Sequence, residues 1–253
     1  MKIAVITGAS SGMGKEFVLQ ISQTEQLDEI WVIARRIDRL EALQDEVKNT
    51  KIRPISMDLT KQESILEYQK LLEAEKPNVA ILVNASGFGK FGTFTDMKLD
   101  DMMSMIELND KAYVAMTYVT LPFMSEGGEI YQLDSLSSFQ PVPYIGVYGA
   151  TKAFVLSFSR ALNVELKKRK IKVMAVCPGW VKTEFFDHAV TDNTIVYYNK
   201  FFTAQEVITR ALRDMKKGKD VSICGASIRA QVLLTKLLPH KLVMKIWCKQ
   251  QKK

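Results

Sequence analysis

An apolar run, Ile3-Ala4-Val5-Ile6, leads at once into Thr7-Gly8-Ala9-Ser10-Ser11-Gly12-Met13-Gly14, and then into an amphipathic segment that sets Phe17, Val18 and Ile21 on one face. This order of strand, glycine turn and helix constrains the fold more than any other feature of the chain. Gly8, Gly12 and Gly14 let the backbone approach a ligand closely. The free N–H groups that open a helix face negative charge, so the turn, with Ser10, Ser11 and Met13, suits a dinucleotide pyrophosphate. Glycine turns also join strands to helices without any ligand, so this reading depends on what lies downstream.

Short β-rich apolar runs alternate with helical periodicity along the 253 residues. Strands are predicted near 2–7, 29–34, 52–57, 79–84, 128–133, 172–177 and 221–224. Helices are predicted near 12–25, 37–49, 62–75, 99–125, 147–169, 204–217 and 227–250. Such alternation implies an α/β fold, a doubly wound parallel sheet of about seven strands with helices on both faces. The length allows one domain, 1–253, with a substantial core, and no repeat or linker divides it. The irregular stretch at about 184–203 is read as a substrate lid, because long loops in compact domains are usually functional.

Tyr148 and Lys152 are four apart in a helical stretch, so their side chains leave one face. An ammonium beside a phenol stabilises phenolate and lowers the tyrosine pKa from its ordinary value of about 10. A tyrosine so tuned donates a proton to a carbonyl oxygen near neutral pH. Alone, the pair reads equally as an ordinary exposed helix. Ser135 follows the strand at 128–133, at the carboxyl edge where parallel sheets bind ligands. Its hydroxyl either holds the same carbonyl oxygen or is a turn serine like Ser137 and Ser138.

Six separated features, in order, resemble the short-chain dehydrogenase/reductase family over roughly residues 1–225. They are the Thr7–Gly14 turn, Asp58-Leu59, Asn84-Ala85-Ser86-Gly87, Asn109, the Ser135/Tyr148/Lys152 set, and Pro178-Gly179 with Thr183. The resemblance implies a Rossmann-type fold. It implies Tyr148 as acid/base, Lys152 lowering its pKa and binding the nicotinamide ribose, and Ser135 orienting the carbonyl. Asn109 would hold a proton-relaying water, Asp58 and Leu59 would border adenine, and Asn84 would brace the sheet beside the cofactor wall at Ala85 and Ser86. Gly179, Val181 and Thr183 would meet the nicotinamide carboxamide. The family often has Asn-Asn-Ala-Gly where this chain has Asn84-Ala85-Ser86-Gly87, which implies a local change at that wall.

An NAD-selective site usually carries an acid at the end of the second strand. Here that end reads Ile33-Ala34-Arg35-Arg36, with Ala34 in the place of the acid. A small neutral residue leaves room for a 2′-phosphate, and Arg35 can grip it with a bidentate fork. Arg36 either adds charge or starts a solvated helix with Asp38 and Glu41 as partners. NADP is therefore expected over NAD.

The lid carries Phe185, Phe186, Tyr197, Tyr198, Phe201 and Phe202, rings that either line a site for a small or apolar carbonyl or alcohol or anchor the lid to the core. After the last strand the chain runs on to residue 253. A 3-oxoacyl carrier-protein reductase of this family normally stops soon after that strand, so the extension, about 227–253, argues against that substrate. In it Leu242, Val243, Ile246 and Trp247 share one helical face, and Lys241, Lys245 and Lys249 a neighbouring one. Such a helix can lie on an anionic membrane surface, but the reading preferred here is that it packs over the cleft or on a partner subunit.

Net charge is +7, and all of that excess lies in residues 221–253, which hold seven bases and no acid. A neutral body argues against a nucleic-acid surface. Cys177, Cys224 and Cys248 lie far apart, and His188 and His240 are isolated, so neither a disulfide framework nor a metal site is expected. That usage fits a reducing cytoplasm. No signal peptide is read, and no apolar stretch is long enough to span a bilayer. A non-enzymatic dinucleotide sensor would need no proton donor, so Asn109, Ser135, Tyr148 and Lys152 together favour an enzyme. A homodimer or homotetramer through the helices at 99–125 and 147–169 is expected, as in many members of the family.

Overall fold

The computed structural model describes residues 1–190 and 194–253, apart from the side chain of His188. Its first half alternates β1 (Lys2–Thr7), α1 (Gly12–Thr24), β2 (Glu29–Ala34), α2 (Ile37–Glu46), β3 (Lys51–Ser56), α3 (Gln62–Glu75) and β4 (Asn78–Asn84). A long helical segment follows as α4 (Leu99–Ile106), a π turn (Glu107–Lys111) and α5 (Ala112–Thr120). Then come β5 (Glu129–Leu133), α6 (Gly146–Glu165), β6 (Lys172–Val176), β7 (Trp180–Val181), α7 (Phe185–Ala189) and β8 (Phe201–Phe202). The chain closes with α8 (Ala204–Lys216), β9 (Val221–Ser222), α9 (Ala226–Leu237) and α10 (His240–Gln250).

Seven strands form one parallel sheet in the order β3-β2-β1-β4-β5-β6-β9. The order reverses between β1 and β4, which opens a crevice beyond their carboxyl ends. Both faces of the sheet are covered, so the strands read as continuous apolar runs. In β1, Ala4 and Ile6 enter one layer with Phe17, Val18 and Ile21 of α1, while Ile3 and Val5 enter the opposite layer with Tyr68, Leu72 and Met116. The period of two in the strand thus serves two cores at once.

Three expectations need correction. The helix predicted at 227–250 is two, α9 and α10, broken at Leu238-Pro239. Proline has no N–H to continue the helix and pushes the preceding residue to extended backbone, as at Leu238. The helix predicted at 99–125 contains the π turn, whose extra residue per turn re-aims the side chains. The lid is not wholly irregular: it holds α7, and β7 pairs in parallel with β8 to fasten its two ends. Residues 191–193 of the lid lie outside the described residues. Among the described residues no helix is long and apolar enough to cross a membrane.

Candidate active site

At the end of β1 the chain turns under the loop that leaves β4. Gly8 has φ +66°, and a Cβ there would sit 2.6 Å from the Ala85 carbonyl oxygen, so only glycine fits. A Cβ on Gly14 would lie 2.2 Å from the Gly8 carbonyl oxygen, which fixes how closely α1 approaches the turn. Thr7 Oγ1 accepts from the amides of Ala85 at 2.9 Å and Ser86 at 3.1 Å, tying the two loops together. Ser11, the N-cap, is extended and does not cap α1 with its side chain. The amides of the first turn are left to face the crevice, the arrangement that holds a phosphate.

The cleft over this turn is lined by Gly8, Ser10 to Gly14, Ala34 to Arg36, Met57 to Leu59, Ala85 to Phe88 and Thr183. Arg36 reaches back onto the glycine turn: its Nη2 donates to Ser10 Oγ at 3.0 Å and Ser11 Oγ at 2.9 Å. Its Nη1 donates to Glu184 Oε2 at 2.9 Å, and Arg39 pairs with the other Glu184 oxygen. Arg36 therefore does not pair with Asp38 or Glu41. Arg35 is exposed on the same wall. Burial pushes the Asp58 carboxyl up, but two hydrogen bonds from Thr60 and the charge of Arg35 outweigh it and hold the group below its usual range. Asn84 is not on the cleft wall. Its side chain is buried in the sheet, where Nδ2 donates to Thr117 Oγ1 at 3.0 Å and Gln132 Oε1 at 2.9 Å.

A second cleft adjoins the first. Ser135, Tyr148 and Lys152 line it together with Pro178, Gly179, Val181, Thr183 and Trp180. Lys152 is buried and donates to the Leu133 carbonyl at 2.8 Å, with its ammonium 5.7 Å from the ring centre of Tyr148. Burial lowers the Lys152 pKa, and Asp134, then Asp110, pull it back up. The expected lowering of the Tyr148 pKa is not found. Burial raises it, the neighbouring Ser135 hydroxyl draws it back, and Asp134 adds to the rise. The ammonium is engaged with the Leu133 carbonyl and does not offset the loss of water around the phenol.

Asn109, at the centre of the π turn, is fully buried. Its Nδ2 donates to the Phe88 carbonyl at 3.0 Å and to Thr151 Oγ1 at 3.1 Å, and its Oδ1 accepts from the Phe88 amide at 3.1 Å. It thereby joins the loop after β4 to α6 at the residue just before Lys152. Two acids that the sequence reading passed over flank Lys152. Asp134 is pushed up to about 7 by burial and accepts from Cys177 Sγ at 3.2 Å. Asp110 is pushed up to about 7 by burial as well. The available signal was position: Asp134 directly follows β5 beside Ser135, and Asp110 follows Asn109.

The lid rings divide by role. Phe185 packs on Tyr148, with ring centres 5.6 Å apart, and with Phe186 and Tyr197 lines the cleft. Tyr198 and Phe201 pack on Phe186, and Phe202 is buried in the core through β8. The cleft, about 350 Å³, is lined on its far side by α9 and α10. The extension thus packs over the cleft: Trp247 Nε1 donates to the Pro143 carbonyl at 3.0 Å. Buried Gln251 accepts from the amides of Val196 at 2.8 Å and Tyr197 at 3.0 Å, fastening the end of the chain to the lid.

Against known proteins, the profile of the short chain dehydrogenase family matches residues 2–194. An uncharacterized oxidoreductase of Staphylococcus epidermidis is 30% identical over 230 residues, 90% of this chain and 96% of that protein. A short-chain dehydrogenase from Sphingobium yanoikuyae, solved in complex with NADPH, is 27% identical, with a TM-score of 0.79 and 92% of each chain covered. The bulky-bulky ketone specific alcohol dehydrogenase from Comamonas testosteroni is 25% identical, with a TM-score of 0.74 and coverage of 94% of this chain and 92% of that one.

Proposed function

The chain belongs to the short-chain dehydrogenase family, and from that premise we propose that it is an NADPH-dependent oxidoreductase that interconverts an apolar ketone and its alcohol. One observation carries this reading. Ser135, Tyr148 and Lys152 line an apolar chamber that shares Ala85, Gly87 and Thr183 with the adjoining glycine-turn cradle.

The cradle fits such a cofactor on its own geometry: a Cβ at Gly8 would collide with its wall, and the opening turn of α1 is uncapped. The amides that open α1 would hold the pyrophosphate, Arg35 and Arg36 a 2′-phosphate, and Thr183 and the backbone at Gly179 and Val181 the nicotinamide end. Bound there, the nicotinamide supplies or accepts the hydride.

Tyr148 is held neutral by its burial and so carries a phenolic proton at physiological pH, ready for the oxygen of a carbonyl. Ser135 donates to the same oxygen and fixes its direction. Lys152 keeps positive charge beneath the phenol, so that phenolate is stabilised once the proton leaves, and Asp134 and Asp110 favour that charge. Phe91 and Phe185 pack against Tyr148 and exclude water from the reacting oxygen.

The apolar chamber and its rings favour a ketone with hydrophobic substituents. The Comamonas testosteroni relative is specific for bulky-bulky ketones, which supports that class. Exposed Tyr118, Phe154 and Val164 on α5 and α6 support a homodimer or homotetramer through that face. The test is a panel of ketones, aldehydes, diketones and quinones with NADPH and NADH, followed by loss of nicotinamide absorbance. Turnover of hydrophobic ketones with NADPH is expected; no oxidation of either nucleotide by any carbonyl would refute the reading.

A further inference from the structure

We propose that the outer face of α9 and α10 docks on an anionic lipid bilayer, and that the substrate is a membrane-resident amphiphilic carbonyl compound that enters the cleft from that surface. The choice of substrate rests on the reductase reading; the docking does not.

On α9, Leu233, Leu234 and Leu237 are 60%, 58% and 72% exposed, while Ile228, Val232 and Thr235 turn into the protein. On α10, Leu242 and Ile246 stand exposed while Val243 is buried and Trp247 reaches Pro143. The apolar stripe seen in the sequence is therefore split: one edge closes the cleft and the other faces outward. Leu234 and Ile246 also line the cleft, so the outward patch is the lip of its mouth.

The lip is edged with positive charge. Leu242 and Ile246 are one turn apart, and Lys245 and Lys249 form the adjoining row. Arg229 and Lys236 flank the leucines of α9 in the same way. None of Lys236, Lys241, Lys245, Lys249, Lys252 and Lys253 has a carboxylate partner among the described residues. Lys236 and Lys253 rest over the rings of Phe139 and Tyr144.

Charge complementarity selects the occupant. A second copy docked on this face about a two-fold axis would set these lysines against their own kind. An anionic bilayer meets both features at once, its acyl layer taking the leucines and its headgroups the ammonium groups. The excess positive charge of the chain lies in residues 221–253, and a carbonyl compound dissolved in the acyl layer would reach the mouth of the cleft without crossing water.

The experiment is co-sedimentation of the full chain with vesicles of phosphatidylcholine alone or mixed with phosphatidylglycerol. Partition on the anionic vesicles is expected to be at least about tenfold stronger, and to weaken as salt rises. K241E/K245E/K249E and, separately, L233S/L237S/L242S are expected to lose it while keeping the parent thermal midpoint, which excludes misfolding. Equal partition on both vesicles, or none, overturns the docking. So does self-association of the parent that L233S/L237S/L242S abolishes, since the patch is then a subunit interface. Failure to oxidise NADPH with any carbonyl would strike the reductase reading alone and leave the vesicle result standing.

Discussion

Glu184, the first residue beyond Thr183, holds Arg36 at 2.9 Å across the mouth of the phosphate cradle. The same guanidinium donates to Ser10 and Ser11 of the glycine turn, and Arg39 shares the carboxylate. Those hydrogen bonds, from Arg39 first and then Arg36, hold the Glu184 carboxyl below its usual range. An acid at the root of the lid thus occupies Arg36, one of the two arginines that a 2′-phosphate would meet.

Competition for one guanidinium has a sign. Glu184→Gln is expected to tighten NADPH binding and leave NADH binding nearly unchanged. The pair is half exposed, so the gain is that of a surface ion pair, up to about 1 kcal/mol or roughly fivefold. Arg35→Ala and Arg36→Ala are each expected to weaken NADPH binding by about 1.5–3 kcal/mol, the range for hydrogen bonds to charged groups. Titration calorimetry with both nucleotides reads all three, and equal affinity of the parent for NADPH and NADH would defeat the cofactor assignment.

Tyr148→Phe removes one hydroxyl from a packed ring. The fold and NADPH binding are expected to persist while turnover falls by about 10²–10⁴-fold, the usual contribution of a general acid. Lys152→Ala is expected to lower both turnover and cofactor affinity. A normal rate for Tyr148→Phe on any accepted ketone would rule out this proton donor.

The acids around Lys152 set a pH dependence. Asp134 and Asp110 are each raised from 3.8 to about 7, so between those values the folded protein binds more protons than the unfolded chain. Stability from keeping them neutral is full below about pH 4 and is lost as pH rises through about 7. Asp134→Asn is expected to flatten that decline in chemical denaturation. It also removes the charge that raises the Lys152 pKa, so the basic limb of the kcat/KM profile is expected to move to lower pH. A purely structural role would leave that limb in place.

Gln251 joins the end of the chain to the lid: its side-chain oxygen accepts from the Val196 and Tyr197 amides and its Nε2 donates to the Tyr197 carbonyl. Gln251→Ala leaves the Val196 and Tyr197 amides unpaired, at a cost of about 1–3 kcal/mol. A lower thermal midpoint, faster amide exchange at 195–198 and a raised KM are expected together. Unchanged exchange there would show that the lid closes without the extension.

The seven strands, the glycine turn and the Ser135/Tyr148/Lys152 spacing were legible in the sequence because each rests on local rules: a period of two or 3.6, a backbone only glycine can adopt, side chains four apart on one helix. The break at Pro239 was missed, although proline cannot continue a helix, because the apolar stripe on either side suggested a continuous one. What the sequence alone could not decide was which distant groups meet. Arg36 reaches Glu184 across 148 positions and Trp247 reaches Pro143 across 104. Asp134, an ordinary acid by its neighbours, becomes a perturbed one only because the packing around it shuts out water, which outweighs the opposing pull of Lys152 and Cys177. The split of the last apolar stripe into a cleft wall and an exposed lip was likewise decided by packing, because period fixes which residues share a face and only the fold fixes what that face meets.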